Sequence, residues 1–428
     1  MTAEIAILNK LGVALAADSA VTISSGGNSK KIYNSANKLF SLSKYEPVCI
    51  MVFDSAEFMG TPWETIIKLY RKNLEDKTFN SLKEYCADFF GFIEKKIDLT
   101  EGECIYVHRM TSILFEDMVT NIDEEVESEI KAKGKASKNK VRSIIKASID
   151  STLTGFNTQL TNSDQKEVSV KKTLVIFEEI IANNIQKIFE KRPLSKAYQK
   201  KLLRCAAIFS LLRHGLTNSG VVFAGFGVQE NYPSVYGFSV GKSMLNKVTR
   251  TLDQEESITQ ANDASILPFA HSAEVSTFME GMGNDIKSFF YDKFRTAMSD
   301  IYPSVLTDTI ETKLKMSPHE KSEILDIIKE MDNGICDLLL NELSSISTKI
   351  YSRPVVNAVG FLSVSDLATM AETFINLESF RKKMTFTTET VGGPIDVAVI
   401  TKGDGVIWIK RKHYFDKELN HHFFSNYF

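Results

Sequence analysis

The chain lacks the features that place a protein in a specialised class. Its five cysteines, Cys49, Cys86, Cys104, Cys205 and Cys336, are odd in number, widely scattered and free of any C-x-x-C pair. That pattern excludes a disulfide framework and a cysteine-ligated zinc site, and reads as reduced core thiols of a cytoplasmic protein. No apolar run reaches the ~18 residues of a membrane span. The N-terminus lacks the basic segment followed by an apolar stretch that marks a secretory signal. A formal net charge of −3 leaves no overall basic balance to attract nucleic acid or an anionic membrane. Neither of the two long helical stretches, 82–212 and 282–350, shows an internal repeat. What remains is a soluble chain of 428 residues, 43% hydrophobic, able to bury a large core and long enough for two or three structural units.

The informative stretch is the first twenty-two residues, MTAEIAILNKLGVALAADSAVT. Initiator methionine is normally removed when a small residue follows, so the mature chain is expected to begin at Thr2. A free amine and a hydroxyl would then share one residue. A threonine hydroxyl needs an adjacent base to become a nucleophile, and a terminal amine with a pKa of about 7.7–8.0 is such a base. Glu4 to Leu8 and Val13 to Ala17 are two short apolar runs around Asn9-Lys10-Leu11-Gly12, a hairpin pattern. The second run ends in Asp18-Ser19-Ala20-Val21-Thr22.

Farther on, Thr22 to Ser29 is polar and Gly-rich, a predicted loop. Leu39–Leu42 and Val48–Phe53 form a second predicted hairpin across Lys44-Tyr45-Glu46-Pro47. Thr61, Pro62 and Glu64 have the spacing of a cap, a first helical position and a capping box, opening a helix whose apolar face is Ile66, Ile67, Leu69 and Tyr70. From 82 to 212 the periodicity is helical. A charge flip runs from Asp123–Glu129 to Lys131–Arg142. Without interleaved aromatics, and with Gly134 and Ser137 inside it, the flip reads as a solvated helix-loop-helix tip. Strands return at 219–227 and 235–240 as a third hairpin, then at Ile266-Leu267-Pro268-Phe269-Ala270-His271-Ser272. Residues 282–350 are again helical. Ser365–Ile375 is a capped amphipathic helix, followed by strands at 395–400 and 406–409 around a Gly-Asp-Gly turn at 403–405.

Thr2, the hairpin behind it and the AADSAVT segment at 16–22 resemble the opening of proteasome β-subunits and their bacterial proteasome-like relatives, members of the N-terminal-nucleophile (Ntn) hydrolases. The blocks at 2–75, 219–280 and 355–428 follow that family's order. The resemblance implies an α+β fold, a four-layer αββα sandwich, with helical insertions at 82–212 and 282–350. It implies Thr2 as nucleophile and Asp18 as the first carboxylate. A lysine at the opening of the third strand is implied too, either Lys31 or Lys38, with Lys38 preferred for its place on the strand. The oxyanion donor falls on the Asp54 N–H, where the family has a Gly-rich turn. Val21, Val52 and Ala56 would line a small apolar specificity pocket. Ser272 matches the serine of the family's G-S-G-S turn. The family's Asp and Ser ahead of the Gly-Gly pair fall on Thr388 and Val391, with Glu389 or Thr390 as substitutes after a one-residue shift. The implied activity is amide hydrolysis by a threonine peptidase that uses no metal or cofactor, acts on polypeptide, assembles as a homo-oligomeric ring and works with an ATPase unfoldase. Two alternatives stand beside it: a small-molecule amidase on the same nucleophile, and a binding or structural module whose chemistry has lapsed.

Overall fold

The structure, a computed structural model, describes residues 3–25, 29–192, 194–212, 218–270, 273–297, 318–385, 391–413, 415–416 and 418–422. Eight strands open the chain: β1 Ala3–Asn9, β2 Gly12–Ala17, β3 Val21–Ser25, β4 Ser29–Tyr33, β5 Leu39–Ser41, β6 Val48–Asp54, β7 Glu57–Phe58 and β8 Thr61–Pro62. Six helices follow: α1 Trp63–Leu74, α2 Leu82–Lys96, α3 Thr100–Lys133, α4 Lys138–Thr161, α5 Glu167–Ile188 and α6 Lys196–Leu212. Next come β9 Ser219–Gly225, β10 Ser234–Met244, β11 Lys247–Ser257 and β12 Ala264–Ala270. Helices α7 Ala273–Glu280, α8 Asn284–Thr296, α9 Pro318–Ser347, α10 Arg353–Val359 and α11 Val364–Met384 precede β13 Asp396–Thr401 and β14 Gly405–Lys410. The fold is α+β. No helix among the described residues is long and apolar enough to cross a membrane.

Two five-stranded sheets carry the architecture, in the orders β12-β1-β2-β13-β14 and β11-β10-β9-β6-β5. Every pairing in them is antiparallel. The near-continuous apolar runs of β1 and β2 have a simple cause, since both faces of their sheet are buried. Alternate residues Ala3, Ile5 and Ile7 pack with Leu367, Ala371 and Phe374 of α11. Ala6 and Leu8 turn the other way, meeting Leu15 of β2 and Leu39, Met51 and Val222 of the second sheet. The second sheet's opposite face, including Ile50, Val52 and Phe223, packs on Ile66 and Tyr70 of α1 and on Phe89 and Phe90 of α2. Each fully buried aliphatic or aromatic side chain contributes about 1.5–3 kcal/mol. These three clusters therefore hold the sheets and helices as one unit.

The stretch 82–212 divides in two. Helix α2 belongs to the cluster on the second sheet, whereas α3 to α6 bury a cluster of their own around Phe115, Ile149, Phe177, Ile181 and Cys205, reached from the sheet by Met244. The charge flip lies at the α3–α4 connection, as its composition predicts. Gly134 ends α3 at φ +72, a left-handed conformation that glycine adopts without a Cβ clash, and the Ser137 side chain caps α4 by accepting from the Lys140 N–H. Lys133 pairs with Glu129 at 2.8 Å on this solvated tip.

Two expectations are corrected, and one strand was not foreseen. Residues 22–29 are not simply a loop: β3 and β4 pair from Val21↔Tyr33 to Ser25↔Ser29, because β-branched and aromatic residues at Val21, Thr22, Ile23, Ile32 and Tyr33 favour a ladder. Thr61 does not cap α1. It pairs with Phe58 in a two-residue ladder, the helix begins at Trp63, and the Trp63 N–H donates to the Ala56 carbonyl at 3.0 Å. Glu64 faces Lys68 instead, at 2.6 Å. Strand β11 carries no apolar run in the sequence, being a largely exposed edge strand. It is joined to β10 by a tight turn with Leu245 and Asn246 at φ +57 and +58.

Candidate active site

The first hairpin delivers Asp18 one residue beyond the end of β2. There its N–H donates to the Ala3 carbonyl at 3.2 Å. The carboxylate is fully buried and accepts from the backbone N–H of Ala3 at 3.2 Å, of Ala20 at 3.3 Å and of Gly392 at 2.9 Å. A fourth donor is the Lys38 ammonium, at 2.5 Å. Three N–H groups converge on this one carboxylate, so its oxygens are hydrogen-bonded from the backbone as well as from the lysine. The lysine then adds a buried ion pair to that anchor.

Lys38 precedes β5 and is itself buried. Its carbonyl accepts from the Val52 N–H at 2.9 Å, tying its backbone to β6. Lys31, the competing residue, sits exposed on β4 with its ammonium 5.1 Å from the Tyr33 ring centroid. The structure thus brings Lys38, not Lys31, to Asp18. Ser19 completes the turn. Its N–H donates to the Gly392 carbonyl at 3.1 Å, its hydroxyl to the Pro394 carbonyl, and its own carbonyl accepts from Ala36 at 3.2 Å. The Gly392-Gly393-Pro394 loop is therefore strapped across the Asp18 turn. Gly393 has φ +78, and a Cβ there would lie 2.8 Å from that of Asn34.

Beside the ion pair is a cavity of about 150 Å³. Val21, Val52 and Ala56 all line it, with Lys38, Asp54 and Trp63 among the others. Asp54 ends β6 at φ +65, the left-handed conformation that a glycine turn supplies at least cost. Partial burial holds its carboxyl above the usual carboxylate range. A tighter charged group lies nearby, where the buried Asp396 accepts from Arg411 at 3.0 Å, from the Lys412 N–H at 2.9 Å and from the Lys412 ammonium. Among the described residues no group of three or more His, Cys, Asp or Glu could hold a metal ion.

Thr2, Ser272, Thr388, Glu389 and Thr390 lie outside the described residues. Val391 is buried and packs with the α11 cluster. One residue near the site escaped the sequence reading. Glu4, on β1, is 1% exposed, and neither of its carboxyl oxygens has a hydrogen-bond partner among the described residues. Burial, before the opposing pull of Lys38, holds its pKa well above the usual carboxylate range. The signal was present: a single charged residue ahead of the apolar run Ile5–Leu8. No family model matches the chain, and no curated protein matches it.

Proposed function

We propose that the chain is a threonine-type Ntn hydrolase on a four-layer αββα sandwich, activated by removal of Met1 and cleaving amide bonds in polypeptide. One observation carries the reading. The residue next to Thr2 is held at the Lys38–Asp18 pair twice, since the Ala3 N–H donates to the Asp18 carboxylate and the Ala3 carbonyl accepts from the Asp18 N–H. The cavity beside that pair, lined by Val21, Val52 and Ala56, supports the reading.

In this mechanism the Thr2 hydroxyl oxygen bonds to the amide carbon while its proton passes to the Thr2 amine, directly or through water. The Lys38 ammonium, oriented by Asp18, steadies the developing negative charge, and the Asp54 N–H donates to the oxyanion. The C–N bond then breaks as the amine returns the proton to the leaving nitrogen. Water hydrolyses the resulting ester by the same proton path in reverse. No cofactor takes part in any step. Ser272 would contribute a hydroxyl to the nucleophile's surroundings. Assembly as a homo-oligomeric ring fed by an ATPase unfoldase belongs to the same proposal.

A lapsed binding or structural module is the second reading, favoured by Val391 in place of a serine and by an acidic side chain at Asp54. The deciding experiment is the intact mass of the purified chain before and after incubation with a peptide epoxyketone, which reacts with both the hydroxyl and the amine of a terminal threonine. Loss of Met1 with a single adduct, absent in Thr2→Ala, is expected. Retained Met1, or no adduct with any of several peptide sequences, transfers the case to the lapsed module.

A further inference from the structure

Glu4 is the one charged residue on β1. By strand alternation it faces the second sheet, as Ala6 and Leu8 do. Its cross-strand neighbours are Phe269 on β12 and Ala17 on β2, neither with a polar side chain, and the next residue in that row is Asp396 on β13. The nearby buried acids each have a cation. Asp18 has Lys38, and Asp396 has Arg411 and Lys412. Glu4 has neither an ion-pair nor a hydrogen-bond partner among the described residues. Three charged groups act on it from the surrounding elements: Lys38 ahead of β5 favours its ionisation, while Asp18 after β2 and Asp54 on β6 oppose it.

A carboxyl so placed is stable as the neutral acid, because desolvation penalises the charge and no donor compensates it. Ionisation has a local consequence. With Glu4 neutral, Lys38 and Asp18 sum to zero. With Glu4 charged, the same group carries one net negative charge, next to the site where hydrolysis develops another.

We propose that Glu4 is a charge gate on the candidate active site, a positioning residue whose neutral carboxyl leaves the Lys38 ammonium available to a developing oxyanion and whose ionisation shuts the reaction down. The proposal rests on the reading of Thr2 as nucleophile. It assigns an alkaline limb of the pH–rate profile to a carboxyl group.

The test compares the chain with Glu4→Gln, which mimics the neutral acid, and with Glu4→Met, which removes the polar head and serves if the amide variant does not fold. The rate of epoxyketone adduct formation is followed by intact mass across neutral to alkaline pH, and thermal unfolding across acid to alkaline pH. The wild-type rate is expected to rise as the Thr2 amine loses its proton and then to fall. Both variants should keep the rise and lose the fall. Stability supplies the second readout. A folded-state pKa above the unfolded one means that the folded chain holds the extra proton between the two values, so stability falls as pH rises through that window. Glu4→Gln should therefore match the wild type in Tm near pH ~4, around the unfolded carboxyl's pKa, and exceed it increasingly toward alkaline pH. An alkaline limb unchanged in both variants, with Tm curves that stay parallel, overturns the gate. A wild type that forms no adduct at any pH removes the nucleophile reading and the gate together, a result distinct from an unchanged limb.

Discussion

Take away the charge on one side of the Lys38–Asp18 pair, and the structure dictates which side is worse. Asp18→Asn preserves volume but leaves the lysine, whose side chain is 5% exposed, without a counter-charge. It also turns an acceptor-only group into one whose amide nitrogen must face either a backbone N–H or an ammonium, both donors. Stranding one member of a buried pair costs about 3–5 kcal/mol. Lys38→Met is milder, because Asp18 keeps the N–H donors of Ala3, Ala20 and Gly392. Losing one charge-assisted hydrogen bond there costs about 1.5–3 kcal/mol. In the double variant no buried charge is stranded, so the pair should be less destabilising than the sum of the singles by about 2 kcal/mol, within the range seen for contacting residues. Urea unfolding at pH 7 reads all four corners of the cycle as midpoint shifts at constant m. Single costs that add to within about 0.5 kcal/mol, the tolerance for independent sites, or a lysine variant less stable than the asparagine one, would refute the reasoning.

Asp54 and Lys242 yield two more predictions. Asp54→Gly relieves a left-handed φ of +65, a conformation that costs an L-residue roughly 1–2 kcal/mol, and removes an acid from beside the proposed oxyanion donor. Both stability and epoxyketone adduct rate should rise, and a slower rate would show that the carboxyl assists. Lys242 is buried between β10 and the α3–α6 bundle, where the carbonyls of Ser210 and Leu211 and the Tyr106 hydroxyl accept from it, and burial pushes its pKa down to about 7. The unfolded chain, with a lysine pKa of about 10.4, holds the extra proton above that point. Wild-type stability should therefore rise with pH from about 7 toward 10. Lys242→Met should flatten that rise in a series of Tm measurements, and parallel curves for the two proteins would show that the lysine is not the titrating group.

The hairpins were legible because each is a pair of apolar runs broken by turn residues, and burial on both faces of a sheet leaves little else for such runs to be. Strand β11 was not, since an exposed edge strand needs no apolar face. The ribbon at β3–β4 was hidden by its glycines, which read as loop although its flanks are β-branched. Asp18, Val21, Val52 and Ala56 were implied by the family resemblance alone, and in the structure Asp18 pairs with Lys38 while the other three line a cavity that Lys38 also lines. Lys38 could be preferred over Lys31 because the predicted strand begins at Leu39, directly after it, although distance along the chain did not separate the two. The Gly392 N–H on Asp18 joins residues 374 apart, a contact that no local pattern announces. Glu4 was overlooked for a different reason. One acid in a strand is usually its solvent side, and only the burial of both faces makes it unusual.

The way Asp18 is held also links the site to the fold. Its donors come from β1, from its own turn and from the loop ahead of β13, so the carboxylate is fully bonded only when the C-terminal hairpin has been added beside β2. Lys38 comes from the start of the opposing sheet's edge strand, and the pair therefore forms only where the two sheets meet. The α3–α6 bundle meets that second sheet at β10 and the β10–β11 turn, through Met244, Lys242 and the Glu103 carboxylate that accepts from Ser243 and Leu245. In the strand order, β10 lies three places from β5, about 14 Å at the usual inter-strand spacing. The bundle, with a hydrophobic core of its own, is anchored there and also at the β7–β8 turn, where Met59 packs on it and lies against Gly102 of α3. None of these contacts runs through Asp18 or Lys38 themselves, so the bundle is attached to the sheet by groups other than the ion pair.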